Sequence, residues 1–304
     1  MLHDAMLHFL YYEGLRLIGL PAVARRARRA GVILGFHNVV PLSLAPAGDP
    51  GVHLSLEAFT DQVSWLARHY RVIPLGEIVD RLSAGRSLRG LAAITFDDGY
   101  AGTLHYAWPL LLQLGLPATC FLVAGQPGAA PFWWDHPAAA SADSDDREHW
   151  LTIHRGDGPA IHATLPAPTP PIPSSHLSAR WEAVSLASTS GLTLGVHSYT
   201  HRNLTRLDAH ELERELLSSR DAIRQRTGIN PEFFAYPYGR WDRRIRDAVQ
   251  QAGYRAAVTL DYGLVTSGAD AWALPRVNVP ASIGPSAFEA WAAGLAPTLR
   301  RRSA

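Results

Sequence analysis

Eight short apolar runs that alternate with helix-like stretches set the strongest limit on what this chain can fold into. They are GVILGF (31–36), RVI (71–73), AAITF (92–96), ATCFLV (118–123), LTLGV (192–196), FFAY (233–236), AAVTL (256–260) and LPRVNV (274–279). Helical patterns lie between many of them, at about 56–69, 76–84, 101–114, 180–189, 208–226 and 241–252. Asp208 with Glu211 reads as a capping box opening one of these helices, and Gly228 is placed to end it. Such alternation predicts a parallel sheet with right-handed crossovers, and seven or eight strands predict a closed or nearly closed barrel.

Residues 139–178 break the pattern. SADSDDREH is polar and LPAPTPPIPSS is proline-dense, so neither is expected to supply a core strand or helix, and the segment reads as an inserted surface loop. The expected organisation is an N-terminal helical extension (1–30), a barrel (31–295) carrying the 139–178 insertion, and a basic tail (296–304).

Composition removes several function classes. The 304 residues carry a net charge of +1, which gives no global attraction to nucleic acid, and every basic side chain other than histidine is Arg. With no Lys in the chain, Schiff-base and P-loop lysine chemistry are excluded. The single cysteine, Cys120, allows no internal disulfide and no cysteine metal site. No apolar run approaches the roughly 18 residues needed to span a membrane. The first thirty residues carry Asp4, Glu13 and Arg16 where an export signal is neutral or positive, so a cytoplasmic protein is expected. Arg25, Arg26, Arg28 and Arg29 close an amphipathic segment that is either a solvated face or a weak peripheral contact with anionic lipid.

In a parallel barrel the working residues lie where strands end. ITFDDGY (94–100) places Asp97 and Asp98 at one such end. Adjacent carboxylates repel unless something positive lies beside them, and a metal ion is the leading candidate, an acidic solvent turn the alternative. HSYTH follows the LTLGV run, and on one helical turn His197 and His201 would point two imidazoles the same way. With Asp98 they would form a two-His, one-carboxylate face. At a third strand end, Pro237 and Gly239 make a rigid turn whose N–H groups could serve an oxyanion. His37 follows the first strand and Arg276 lies within the last.

TFDDGY, HSYTH and YPYG, in this order, resemble the motifs of the NodB-homology polysaccharide deacetylases, carbohydrate esterase family four. PLLLQLGLPATCFLVAG, FWWD (132–135) and HRNLTRLDAHELERELLSSRDAI agree with the resemblance, which runs from about Gly31 to Val279. It implies a distorted, TIM-like (β/α) barrel and a hydrolase that frees acetate from an N-acetylhexosamine in a glycan or glycoconjugate. It also implies a divalent metal, commonly zinc with cobalt, manganese or nickel as alternatives, held by Asp98, His197 and His201. Asp97 would be the general base and the Tyr238 backbone N–H an oxyanion donor. Two departures stand out: Ala235 occupies the position where the family usually has an Arg that orients the base, and no histidine follows His210 to act as a C-terminal acid. The expectation is that Arg276 replaces the orienting charge beside Asp97 and that His37 donates the proton. Trp133 could floor a sugar site or simply pack. The competing readings are a hydrolase of another C–N amide bond and an inactive carbohydrate-binding barrel.

Overall fold

The computed structural model describes residues 2–128, 130–168 and 171–296, so the expected basic tail lies outside the described residues beyond Ala296. Among the described residues ten strands form: β1 Val32–Phe36, β2 Asn38–Val40, β3 His53–Ser55, β4 Arg71–Val72, β5 Leu91–Phe96, β6 Ala118–Leu122, β7 Thr193–Val196, β8 Phe233–Ala235, β9 Ala256–Tyr262 and β10 Leu274–Asn278. Seven of them close a parallel barrel in the order β1-β10-β9-β8-β7-β6-β5, sealed by β5 against β1 from Val32↔Ala92 to Phe36↔Phe96. β4 pairs only with the start of β5, outside that ring, and β2 with β3 forms a separate parallel pair. All eight apolar runs became strands, and the predicted seven- or eight-stranded barrel is the fold.

The barrel is uneven. β7 and β8 share a single registered pair, Val196↔Phe234, and the register of β10 on β9 shifts between Leu274 and Arg276. Irregularities of this kind re-aim side chains, and here the re-aimed one is Arg276, the largest fully buried side chain among the described residues. Alternation along the strands sorts the core in two. Ile33, Ala93, Phe121, Ala235, Val258 and Leu274 cluster with Leu75 and Ile78 of helix Leu75–Ser83. Leu34, Phe36, Ile94, Leu122 and Val196 instead pack against surrounding helices such as Leu56–His69 and Ala209–Thr227. The latter helix opens on the Asp208–Glu211 capping box and ends at Gly228 with φ 74°, as its sequence predicts.

The 139–178 segment lies between β6 and β7 and is more ordered than its composition suggests. SADSDDREH forms helix Ser144–Thr152, which buries none of its residues and is held by an N-cap: Asp143 accepts from the Asp145 and Asp146 N–H groups, each at 2.9 Å. A second short helix, Gly158–His162, is capped by Asp157 and buries Ile161. The N-terminal extension forms helices Leu2–Leu17 and Leu20–Ala27. Tyr12 is buried against Ala287 and Ala290 of helix Pro285–Ala292 and accepts a 2.8 Å bond from Trp291 Nε1.

Candidate active site

The side chains singled out in the sequence converge on the C-terminal mouth of the barrel. Asp97 and Asp98 follow β5, His197 follows β7, Tyr238 follows β8 and His37 follows β1, and all five line one cleft of about 440 Å³ with His201. Arg276 lies beneath this cleft, inside the barrel.

Backbone geometry marks the site independently of side-chain chemistry. Among the described residues, five non-glycine residues have positive φ, and four of them are Asp98 (70°), Ser198 (65°), His201 (58°) and Tyr238 (57°). Each left-handed residue of this kind costs of order 1–3 kcal/mol, so such clustering is a signature of a built site. Gly99, with φ 71°, continues the bend and lets the chain leave β5 abruptly after Asp98.

His197 and His201 do meet, but by a route other than one helical turn. Residues 197–201 form a bent loop instead, in which Ser198 Oγ accepts from the His201 N–H at 3.0 Å. Glu215, buried on helix Ala209–Thr227, accepts the Tyr199 and Thr200 N–H groups at 2.8 and 2.9 Å and holds the loop open. Sequence reasoning missed Glu215, because a glutamate within ELERELL looks like any exposed helix residue.

His197 Nε2 and His201 Nε2 lie 3.5 and 3.3 Å from Asp98 Oδ1, and one ligand atom from each of the three residues lies within 4.8 Å of the others. Ligand atoms about 2.0–2.2 Å from a small cation and set tetrahedrally would be about 3.3–3.6 Å apart, so the donor set fits a divalent ion such as zinc. His197 Nδ1 faces the Ala235 carbonyl at 2.8 Å, which fixes the ring and leaves Nε2 for a ligand. Thus Ala235, which lacks the family's usual guanidinium, still contributes through its backbone. Burial, the largest influence, and the neighbouring His201 pull His197 down to about 4 against the opposing pull of Asp97 and Asp98, so the imidazole is neutral at neutral pH, as ligation needs.

Asp97 has a different environment. Arg276 grips it with a bidentate fork, Nη1 to Oδ1 at 2.8 Å and Nη2 to Oδ2 at 2.6 Å. The same guanidinium donates from Nε to the Thr259 carbonyl at 2.8 Å and from Nη1 to Thr95 Oγ1 at 3.1 Å. A Cβ at Gly35 would meet the Arg276 guanidinium at 3.3 Å, so the small residue makes room for the fork. Burial pushes the Asp97 carboxyl up, but Arg276, His197 and His37 outweigh it and hold the group well below the usual carboxylate range.

In the Pro237–Gly239 turn, Gly239 and Arg240 donate their N–H groups to the Tyr236 and Pro237 carbonyls, so the Tyr238 N–H takes no part in these two turn bonds. The Tyr238 hydroxyl accepts from Trp133 Nε1 at 2.9 Å. Trp133 is buried and packs on Trp134, Trp150 and Tyr238, so it forms a wall of the cleft and not an open sugar platform. Trp134 stacks on Phe132 and lies 4.7 Å from the His201 ring.

A buried polar network that sequence reasoning did not anticipate fastens this aromatic wall to the barrel. Asp135 accepts from Tyr100 Oη at 2.7 Å and from the Asp49 N–H at 3.3 Å, and bonds His53 Nε2 at 2.7 Å, while Trp134 Nε1 donates to Tyr100 Oη at 2.7 Å. Asp135→Asn would put an N–H₂ donor in place of one of the two oxygens that now accept. It is expected to cost about 1–3 kcal/mol in urea unfolding, and an unchanged midpoint would show the network to be dispensable.

A model of the polysaccharide deacetylase family matches residues 85–257, more than half of the chain. The chain belongs to the polysaccharide deacetylase family. The Bacillus subtilis (strain 168) protein YxkH is 23% identical over 198 residues, covering 65% of this chain and 54% of YxkH. The poly-β-1,6-N-acetyl-D-glucosamine N-deacetylase of Escherichia coli (strain K12) is 22% identical over 266 residues, 82% of this chain and 36% of that protein. The chain therefore spans about half the length of the first relative and about a third of the second. Among solved structures, IcaB from Ammonifex degensii superposes with a TM-score of 0.63 at 22% identity, covering 88% of this chain and 98% of that one. The Streptococcus pyogenes deacetylase PplD gives 0.61 at 17% identity, covering 84% and 95%. These structural likenesses establish the fold.

Proposed function

We propose that this polysaccharide deacetylase is a divalent-cation-dependent hydrolase that removes the N-acetyl group from an N-acetylhexosamine of a glycan or glycoconjugate. The observation that carries the reading is the division of labour between adjacent carboxylates: Asp98 joins the two imidazoles, while Asp97 is held apart by Arg276. The N-deacetylase name of the Escherichia coli relative supports the substrate class.

Asp98, His197 and His201 would hold the cation, zinc first among the candidates. When bound, it supplies Lewis acidity, drawing charge from the acetyl oxygen and lowering the pKa of water from 15.7 toward about 7. Asp97, anionic because Arg276 stabilises it, accepts the proton as the water oxygen adds to the acetyl carbon. A carboxylate held so far down is a weak base, so its main contribution is orientation, and the acidity of the water must come from elsewhere. The Tyr238 N–H donates to the developing oxyanion. When the C–N bond breaks, His37, which lines the same cleft, donates its proton to the departing nitrogen and is reprotonated by the proton that Asp97 took, leaving a free amine and acetate.

The test is acetate release from N-acetylglucosamine, chitooligosaccharides and nucleotide- or lipid-linked sugars, using metal-stripped protein before and after zinc restoration. Zinc-dependent release from any of these is expected. Silence across the panel from zinc-loaded protein would overturn the substrate class and favour another C–N amide or a binding role. Within the mechanism, His37→Ala should lower kcat about 10²-fold, the usual worth of a general acid, and full turnover would remove His37 from that role.

A further inference from the structure

We infer that the N-terminal helical pair, across residues 6–29, is a docking surface for an anionic lipid bilayer. Helix Leu2–Leu17 is apolar on two opposite sides. Its inner side presents Tyr12 and Leu15 to helix Pro285–Ala292. At 100° per residue, Met6, Leu10 and Leu17 fall within about 40° of one another on the outer side, far from Tyr12 and Leu15. Met6, Phe9, Leu10, Leu17, Ile18 and Val23 are each more than half exposed. Exposed apolar residues gathered in this way mark a surface that something else covers. The helix has 16 residues, too few to span a bilayer, and no described helix is long and apolar enough to do so.

The charges that follow these residues select the occupant. Arg26, Arg28 and Arg29 are exposed on the same segment, and exposed Arg89 adjoins them by donating to the Arg26 carbonyl, while Arg16 is paired with Glu13 and Glu289 at 3.9 and 3.6 Å. Glu13, the one acidic residue in 6–29, is engaged by the Ser286 hydroxyl. The whole chain has a net charge of only +1, so this concentration of guanidinium is local. Exposed apolar residues followed along the chain by exposed arginines match acyl chains beneath anionic headgroups. Two-fold pairing with a second copy would instead bring the same arginine cluster toward itself. The segment leads into the N-terminal end of β1, whereas Asp97 and Asp98 follow the C-terminal end of β5, so a docked molecule keeps its cleft open to a glycan in solution.

Flotation of the purified full chain with phosphatidylcholine vesicles, with and without phosphatidylglycerol, tests this without any need for catalysis. It therefore stands or falls separately from the deacetylase reading. The protein is expected to float with the anionic vesicles and not the neutral ones, and to be released by salt. Arg26→Gln with Arg29→Gln should weaken binding roughly thirtyfold, at the usual electrostatic worth of two surface arginines. Phe9→Asp with Leu10→Asp should abolish it. Equal binding to both vesicle types, or none to either, would overturn the inference, as would a dimer in light scattering that Phe9→Asp with Leu10→Asp splits while vesicles capture nothing. Should either variant fail to fold by circular dichroism, the dependence of the unaltered chain on lipid charge and salt decides the question alone.

Discussion

Arg276→Met is expected to lower the unfolding free energy by about 3–5 kcal/mol and to remove most activity, while leaving Asp98, His197 and His201 in place. The magnitude follows from what is left behind. Asp97 and Arg276 are both buried, and removing one partner strands the other's charge in the interior. Thr259 also loses the donor that its carbonyl now accepts from. The pH dependence has a definite sign. With its folded pKa depressed, Asp97 contributes stability that is present above the unfolded carboxylate pKa of about 3.9 and lost as pH falls through the folded value. Without Arg276 burial prevails, the carboxyl titrates higher, and the acidic limb of kcat/KM should move to higher pH. Arg276→Lys restores charge without the fork and should recover part of the stability but little of the rate. Urea unfolding and a pH–rate profile check both; an acidic limb that stays in place would show that Arg276 does not orient the base.

The barrel was legible because its strands are buried on both faces and read as continuous apolar runs. β2 and β3 were not: each has three residues, and their buried members include Asn38 and His53, which no hydrophobic pattern would select. The site was legible where chemistry forces unusual neighbours, such as two adjacent aspartates at a strand end. The structure brings His37, Asp97, Asp98, His197, His201 and Tyr238 to one cleft, and sets Arg276 against Asp97 across the barrel. What escaped was support. Glu215 matters through Tyr199 and Thr200, and nothing local distinguishes it from an exposed helix residue; Tyr100 and Asp135 stand within TFDDGY and FWWD, but neither motif announces the bond between them. The spacing of His197 and His201 was informative although the conformation inferred from it was not, because left-handed residues at Ser198 and His201 achieve in a loop what a helical turn would have achieved.

Asp98→Asn should separate cation binding from every other contribution of the mouth. In the unaltered chain, zinc at a hundred times its dissociation constant should stabilise the fold by about 2.7 kcal/mol, raising the melting midpoint. Asp98→Asn removes the anionic donor that both imidazoles face at 3.5 and 3.3 Å, so the midpoint should no longer respond to zinc and acetate release should fall by at least about 10³-fold. Asp97→Asn is the informative contrast. Its side chain keeps the volume beside Arg276 but loses the negative charge, so zinc should still raise the midpoint while turnover falls comparably. If both variants lost the zinc response, Asp97 would be a ligand and not a base. If Asp98→Asn kept it, the cation would have to sit elsewhere, and the separate roles of the two aspartates would be withdrawn.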